Sequence, residues 1–256
     1  MLHRKKRPLV SIITITFNNE NTVKDTIESL LNQTYDNLEY IIVDGQSLDE
    51  TVSIINQYED KIKSRNILFK FLSEKDEGIA DAWNKGLKLS TGDIIGMLNS
   101  DDWYDNMAVE NVVNCLNINN SELSYGVCKR VNEKNEVTEV MDKKFNPKRI
   151  YLNFGFSHTT CFATRKTYDL VGGFNLDYKI AIDTDFLFRA FKLGVKFKKC
   201  SNVTFMRLGG VSTKFKSVAL NENQRAMLNN GFNPIFVFIY GMIKKGILIL
   251  QEFKLL

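Results

Sequence analysis

Two adjacent carboxylates, Asp101 and Asp102, follow an apolar segment that ends at Leu98. Neighbouring carboxylates repel each other, so an ionised pair needs a cation or hydrogen-bond donors nearby. Their hard oxygen atoms suit Mg²⁺ or Mn²⁺, ions that can also hold a diphosphate. The same residues fit a turn from Asn99 to Asp102 that leads into a helix N-cap. Taken alone, the pair leaves both interpretations open.

The elements that would position this pair alternate between strand and helix. Hydrophobic patterning predicts strands over 9–17, 38–43, 67–72 and 93–98, with helices over 21–32, 51–58 and 79–89 between them. Such alternation implies right-handed crossovers and a parallel sheet covered by helices on both faces. Ligands of these sheets bind beyond the carboxyl ends of the strands. We therefore expect Asn18, Asp44, Glu74 and the Asp101–Asp102 pair to share one rim.

The second half of the chain is less regular. Its patterning indicates a β-hairpin over 124–131 and 138–141, a strand over 157–163 and a helix over 183–193. Together with the first half, it predicts an α/β fold.

The C-terminal segment over 235–256 is almost wholly apolar apart from a few polar positions. A helix there would place Gly241, Lys244, Lys245, Gln251 and Glu252 on one side and apolar residues over most of the rest. This pattern favours an amphipathic helix lying on an anionic membrane surface. The alternatives are a helix packed on the domain and a homodimer interface.

Composition excludes some partners. The chain has 256 residues, of which 44% are hydrophobic, and its net charge is +4. Much of the positive charge lies near the two ends, at Arg4, Lys5, Lys6, Arg7, Lys214, Lys216, Arg225, Lys244, Lys245 and Lys254. Basic ends on a near-neutral body suit an anionic surface better than a nucleic-acid groove. We expect no nucleic-acid partner.

The cysteines and the N-terminal segment indicate the compartment. Cys115, Cys128, Cys161 and Cys200 show no C-x-x-C spacing, which predicts reduced thiols in a cytoplasmic protein. The apolar run over 9–17 is short and lacks a cleavage site, so we interpret it as a strand and not as a secretory signal. No segment reaches the roughly 18 to 20 apolar residues that span a bilayer.

Five groups of segments, in order along the chain, resemble family 2 glycosyltransferases. They are Val10–Asn18, Ser29–Tyr35 with Glu39–Thr51, Glu77–Gly86, Gly92–Asp93 with Leu98–Asp102, and Gly172–Phe174 with Ala181–Asp185. The resemblance covers roughly residues 8–215. It implies a GT-A fold, which is a Rossmann-like, mostly parallel sheet flanked by helices. A domain over 1–215 would comprise a nucleotide-sugar half (8–103) and an acceptor half (104–215), followed by an amphipathic helical extension over 216–256.

The resemblance also assigns residues to a nucleotide-sugar donor. Thr16 and Asn18 would meet the nucleotide, and Asp44 would contact base or ribose. Gly45 stands where the family often has a second Asp, which leaves guanine and thymine diphosphate sugars open beside uracil. Further positions of the donor-side pattern are Gly78, Asp81 and Asn84.

The family's acidic positions carry the implied chemistry. Asp101 would face ribose and metal, and Asp102 would bind Mn²⁺ or Mg²⁺ directly, so that the ion neutralises charge on the departing diphosphate. Asp183 matches the catalytic base, which takes a proton from the acceptor hydroxyl. A base and a leaving group on opposite faces imply inversion at the anomeric carbon. The alternative for Asp183 is a cap of a helix beginning near Thr184.

Two residues near the predicted cleft allow two interpretations each. His158 either contacts the diphosphate or acceptor, or is a half-buried strand residue. Arg207, with Gly209 and Gly210, resembles a segment that closes over the donor, although it also fits a solvated charge beside an ordinary turn.

The predicted activity is inverting, metal-dependent transfer of a sugar to a glycan or lipid-linked acceptor, in cell-surface polysaccharide synthesis. The protein would act in the cytoplasm, peripherally on the inner face of the plasma membrane. One alternative is an inactive homologue that scaffolds a membrane polysaccharide complex. A sugar nucleotidyltransferase would need a glycine-rich turn after the first strand, which Phe17–Glu20 lacks. A dinucleotide oxidoreductase would need G-x-G-x-x-G in that turn.

Overall fold

The computed structural model describes residues 7–209 and 215–253. Among the residues singled out above, Arg4, Lys5, Lys6, Gly210, Lys214 and Lys254 lie outside the described residues. The first half of the chain alternates as predicted. Its elements are β1 (Val10–Thr16), α1 (Val23–Leu31), β2 (Leu38–Asp44), α2 (Thr51–Ser64), β3 (Leu68–Ser73), α3 (Ile79–Leu89) and β4 (Ile94–Asn99).

The second half adds shorter strands and helices. They are β5 (Trp103–Tyr104), α4 (Ala108–Cys115), β6 (Glu122–Val131), β7 (Val137–Met141), β8 (Phe162–Thr164), α5 (Arg165–Val171), α6 (Ile182–Lys192), β9 (Lys196–Arg207), α7 (Lys216–Asn229) and α8 (Pro234–Phe253). The predicted hairpin is confirmed, because β6 and β7 pair antiparallel.

In the described part of the chain, nine strands form one sheet: eight follow the order β3-β2-β1-β4-β8-β6-β9-β5, and β7 pairs with β6 apart from this path. The four strands β3, β2, β1 and β4 pair in parallel. The short strand β8 then runs antiparallel to both β4 and β6. It therefore joins the parallel half to the mixed half, and the expected α/β sheet flanked by helices is confirmed.

Two hydrophobic cores lie on opposite faces of this sheet. Alternate side chains of β1 separate the faces, since Ile12 packs with α1, α2 and α4 while Ile13 packs with α3 and α6. In α1, the predicted apolar face is buried at Val23, Ile27, Leu30 and Leu31. Each fully buried side chain of this kind contributes about 1.5–3 kcal/mol of transfer free energy. The two cores hold the strand ends in place.

The predicted strand over 157–163 is wrong in its first part. His158–Thr160 form a 3-10 turn, and only Phe162–Thr164 pair as a strand. The cause is local hydrogen bonding that competes with a strand ladder. The hydroxyl of Thr160 donates to the Ser157 carbonyl at 2.8 Å, and the Cys161 amide donates to the His158 carbonyl at 2.8 Å.

The expectation of four reduced cysteines is also wrong. A disulfide joins Cys115, at the end of α4, to Cys200 on β9, with Cα atoms 5.9 Å apart. Cys128 and Cys161 are free thiols. The pair is 85 residues apart in sequence and meets because α4 packs against β9. Local spacing could not reveal it.

The C-terminal helix α8 packs on α7 through Val237, Tyr240 and Gly241. Gly241 meets the Gln224 side chain, so one position expected on the free polar side is instead buried. Within residues 7–209 and 215–253, no helix combines the length and hydropathy that a bilayer span requires.

Candidate active site

The carboxyl ends of the parallel strands align at one rim. Thr16 at the end of β1 pairs with Asp44 at the end of β2, and Asp44 pairs with Ser73 at the end of β3. Asn99 at the end of β4 pairs with Ile15. The ladder of main-chain hydrogen bonds therefore fixes these ends side by side, as the alternating pattern predicted.

A cleft of about 910 Å³ opens at this rim. Asp102 and Asp183 both line it, although they lie on different halves of the chain. Other lining residues from the first half of the chain are Thr16, Phe17, Asn19, Asp76, Gly78, Trp83, Asn99, Ser100 and Asp101. Lining residues from the second half of the chain are Arg130, His158, Lys179, Asp183, Arg207 and Asn223.

The acid pair sits on a tight turn after β4. The Asp102 amide donates to the Asn99 carbonyl at 3.2 Å, and the Thr26 hydroxyl on α1 donates to the Asp102 carbonyl at 2.7 Å. A strand, Trp103–Tyr104, follows the turn. The helix N-cap alternative is therefore wrong.

The Asp102 carboxylate is 1% exposed and receives two hydrogen bonds. One comes from the Arg207 amide at 3.1 Å and the other from the Asn99 side-chain amide at 3.2 Å. These donors do not offset burial, which together with the charge of Asp101 raises the pKa of Asp102 to about 7. Burial likewise raises the pKa of Asp101. The pair thus carries repulsion that a cation would relieve.

The donor atoms at this turn fit a small divalent cation. Asp101 and Asp102 offer carboxylate oxygens, and the buried Thr16 hydroxyl oxygen finds no hydrogen-bond partner among the described residues. Over residues 7–209 and 215–253, no group of three His, Cys, Asp or Glu side chains forms a closed metal cage. Mg²⁺ and Mn²⁺ suit such an open site, because Mg²⁺ in particular is often held by one or two carboxylates plus water and substrate phosphates.

Asp183, from the second half of the chain, lies in the first turn of α6. Ala181 occupies the N-cap position, so Asp183 is not the cap. Its Oδ2 atom lies 2.7 Å from Nδ1 of His158, and the two side chains are 32% and 43% exposed. Burial opposes charge on both groups, but their mutual attraction and hydrogen bond outweigh it. The pKa of Asp183 is therefore lowered and the pKa of His158 is raised.

Arg207 lies behind the acid turn. Its guanidinium donates to the Asp101 carbonyl at 2.6 Å, pairs with Asp25 and lies 4.6 Å from the Trp103 ring centroid. These contacts show an anchored side chain, which rules out the solvated-charge interpretation. The predicted closure of Arg207 over a donor stays a prediction.

Asn18 and Asp44 bind their own neighbouring loop. Asn18 adopts a left-handed backbone with φ 52°, and its side chain accepts from the Leu48 amide at 2.8 Å. The buried Asp44 carboxylate accepts from the Ser47 amide at 3.0 Å and from the Ser73 hydroxyl at 2.7 Å. In the described part of the chain neither residue lines the cleft, and their predicted contact with a nucleotide stays a prediction.

The segment Glu77–Gly86 contains three residues that were predicted to bind the donor, and they differ in their position relative to the cleft. Gly78 lines the cleft. Asp81 accepts from the Glu77 amide at 3.0 Å and pairs with Lys85 at 3.1 Å. The Asn84 side chain binds the backbone of Phe174 in both directions, each bond being 2.8 Å. Asp81 and Asn84 are outside the cleft lining in the described part of the chain, so the geometry gives them supporting contacts.

Asp76 and Asn223 are among the cleft residues that the sequence analysis did not predict. A Cβ atom added to Gly45 would lie 2.6 Å from Oδ2 of Asp76, so Asp76 occupies the space beside this glycine. Its position two residues before Gly78, next to the segment that resembles the family, is the feature of the sequence that could have indicated Asp76. Asn223 on α7 also lines the cleft, and no motif in the sequence points to it.

Comparisons with known proteins agree with this geometry. The model of glycosyl transferase family 2 matches residues 11–175. The chain is 28% identical over 243 residues to chondroitin synthase of Escherichia coli, covering 92% of this chain and 34% of that protein. It therefore spans about a third of the length of this relative.

Two solved structures share the fold. The Pyrobaculum calidifontis mannosyltransferase PcManGT, in complex with GDP-Man and Mn²⁺, has a TM-score of 0.69 at 18% identity, covering 91% of this chain and 68% of that one. S. aureus TarS 1-349 in complex with UDP-GlcNAc has a TM-score of 0.65 at 20% identity, covering 90% of this chain and 69% of that one. The family match spans more than half of the sequence, and the chain therefore belongs to glycosyl transferase family 2 and is a glycosyltransferase.

Proposed function

We propose that the protein transfers a sugar from a nucleotide-diphosphate donor to a hydroxyl of a glycan or lipid-linked acceptor, with inversion and with the help of a divalent cation. The observation that carries the proposal is that Asp102 and Asp183, which lie in different halves of the chain, line one cleft. Asp102 is suited to hold the cation that binds the leaving diphosphate, and Asp183 is suited to activate the attacking hydroxyl. The similarity to chondroitin synthase of Escherichia coli supports a role in cell-surface polysaccharide synthesis.

On the donor side, Asp101 and Asp102 would hold Mn²⁺ or Mg²⁺. When bound, the ion supplies positive charge against the negative charge that develops on the diphosphate. Asp102 is held by the Arg207 amide and Asn99, and Thr16 offers a hydroxyl at the same rim. The chain's own contribution is thus to fix the carboxylates before a donor arrives.

On the acceptor side, Asp183 would take the proton of the attacking hydroxyl. Its lowered pKa keeps the carboxylate ionised, and its exposed fraction of 32% leaves it open to the cleft. A positioned general base of this kind contributes roughly 10²- to 10⁴-fold to the rate. Attack from the face opposite the diphosphate inverts the anomeric carbon.

The base of the donor depends on the space beside Gly45. Asp76 fills the place where a side chain at position 45 would project, and it lines the cleft. We infer that the Asp76 carboxylate accepts hydrogen bonds from N–H groups of the base, which uracil, thymine and guanine all possess. Thermal-shift measurements with UDP-, GDP- and dTDP-sugars in the presence of Mn²⁺ would identify the donor. Loss of the shift in Asp76→Ala would support this contact, and an unchanged shift would contradict it.

The scaffold alternative makes a different prediction. An active enzyme releases nucleoside diphosphate slowly from its own donor, because water can replace the acceptor. We expect Mn²⁺-dependent release with one sugar nucleotide of the panel. Absence of release with every donor, from protein that binds nucleotide, would favour the inactive scaffold.

The helix α8 supports action at a membrane surface. Its exposed apolar side chains include Ile235, Phe236, Phe238, Met242 and Ile243, with Ile235 68% and Phe238 63% exposed. Lys244 and Lys245 follow on the same helix, so apolar and basic groups are combined as on interfacial helices. We infer that α8 contacts an anionic bilayer, where lipid-linked acceptors would lie.

Vesicle co-sedimentation tests this contact. The double variant Phe238→Glu, Met242→Glu should lose binding to vesicles that contain phosphatidylglycerol. Leu176→Glu is a matched control, since Leu176 is 57% exposed and lies outside the helix. Unchanged binding of the double variant would contradict the membrane contact, and its conversion from dimer to monomer would assign the face to a homodimer.

A further inference from the structure

His158 and Asp183 meet although they belong to separate elements. His158 starts the 3-10 turn His158–Thr160, and Asp183 lies in the first turn of α6. Nδ1 of His158 lies 2.7 Å from Oδ2 of Asp183, which is the distance of a charge-assisted hydrogen bond. Both residues line the cleft.

Each partner is held by its own surroundings. The turn that carries His158 is closed by the Cys161 amide, which donates to the His158 carbonyl at 2.8 Å. The segment before Asp183 is held by Glu222 on α7, whose carboxylate accepts from the Ile180 amide at 2.8 Å and the Ala181 amide at 3.0 Å. The contact between the two side chains is therefore built from both ends.

We propose that His158 is a positioning residue for Asp183, holding Oδ2 through Nδ1–H so that Oδ1 is directed to the acceptor hydroxyl. This inference rests on the proposed function. A carboxylate on a free χ2 torsion samples many orientations, whereas one held at a single oxygen presents the other in a fixed direction. The imidazole thus orients the Asp183 carboxylate in advance, so that less rotational freedom of the carboxylate is lost when the transition state forms.

The reaction step balances with Asp183 as the proton acceptor. The O–H bond of the acceptor breaks and its proton passes to Oδ1 of Asp183. The oxygen's electron pair forms the bond to the anomeric carbon. The bond from that carbon to the diphosphate oxygen breaks, and its electron pair leaves with the diphosphate. His158 keeps its proton at Nδ1 throughout.

A competing arrangement uses the same hydrogen bond differently. Asp183 could orient the ring while Nε2 of His158 takes the proton, as in hydrolytic triads. Substitution of His158 separates the two arrangements.

The test compares His158→Asn with His158→Ala. The Asn side chain places an amide N–H near the position of Nδ1 but cannot serve as a base. We expect His158→Ala to lower kcat by about 10- to 100-fold, on the scale of a misplaced catalytic group. The donor KM and Mn²⁺-dependent nucleotide binding should stay unchanged, and His158→Asn should recover most of the loss.

Two results would overturn the inference. If both variants bind nucleotide, melt at the wild-type temperature and are equally inactive, the imidazole itself takes the proton. If His158→Ala is fully active, the contact has no role in transfer. Failure of the proposed function is distinguishable, because the wild-type protein would then show no Mn²⁺-dependent transfer at all.

Discussion

The two sides of the cleft are built in different ways. On the proposed donor side, Thr16 and Asn99 lie at the ends of parallel strands that a continuous ladder holds in register. On the acceptor side, His158 and Asp183 lie on a 3-10 turn and in the first turn of a helix. The contact between the His158 and Asp183 side chains joins those two elements. The strand ends are thus fixed by the backbone ladder, whereas the meeting of His158 and Asp183 depends on their side chains.

This difference has a functional consequence. A nucleotide diphosphate is common to many donors, so a rigid strand rim can serve it in different enzymes. Acceptors vary, and short elements with side-chain anchors can change without disturbing the sheet. We therefore expect substitutions on the acceptor side to affect the rate of transfer while leaving donor binding intact.

The largest expected effect is that of Asp183→Asn. The variant keeps the shape of the side chain but removes the proton acceptor, so kcat should fall by about 10² to 10⁴. Initial rates at saturating donor and acceptor measure it. A rate within a factor of two of wild type would show that another group is the base and would remove the main distinction between the two sides.

A substitution at the junction of the two halves tests whether they share one sheet. A Cβ atom on Gly96 of β4 would lie 2.5 Å and 2.6 Å from two ring atoms of Phe162 on β8. Gly96→Ala should therefore lower the free energy of unfolding by about 1–3 kcal/mol through overpacking. Urea denaturation measures the change. Gly246→Ala is the control, because the added atom meets nothing within 4 Å in the described structure, and it should be neutral or stabilising.

A smaller effect is expected at Glu222, which holds the loop before Asp183. Its carboxylate accepts from the amides of Lys179, Ile180 and Ala181. Glu222→Ala should lower kcat by roughly tenfold by loosening the base, with nucleotide binding unchanged. Glu222→Gln, which retains one acceptor oxygen, should lose less. Equal loss of nucleotide binding in both would indicate that the two sides are not separable.

The disulfide can be tested by counting reactive thiols, which requires no activity assay. Protein denatured without reductant should present two reactive thiols, from Cys128 and Cys161. Treatment with reductant should raise the number to four. Four thiols before reduction would contradict the link between α4 and β9 and restore the expectation of reduced cysteines.

Much of the donor half could be predicted from the sequence because its signals are local. Strands β1 to β4 are apolar runs, and the polar residues that follow them reach the rim by parallel pairing alone. The elements of the acceptor half are short, and β8 has only three residues. Before β8, hydrogen bonds of Ser157 and Thr160 favour a 3-10 turn. Hydrophobic periodicity does not register such bonds, and it therefore predicted a strand there.

Contacts between distant residues could not be predicted. Nothing in the spacing of His158 and Asp183 indicates that they form a hydrogen bond, or that Glu222 supports the segment between them. Asp76 could not be predicted as a site residue, because it lies beside Gly45 only in the folded protein, where it occupies the space that a side chain at position 45 would fill. The chemical type of each residue was visible, whereas its partner depended on the tertiary fold.

Calorimetric titration of a nucleoside diphosphate with and without Mn²⁺ tests the separation of the two sides most directly. Asp102→Ala should lose the Mn²⁺-dependent part of binding, and Asp183→Asn should bind as the wild-type protein does. Retained Mn²⁺-dependent binding in Asp102→Ala, or its loss in Asp183→Asn, would contradict a cleft in which one side grips the diphosphate and the other activates the acceptor.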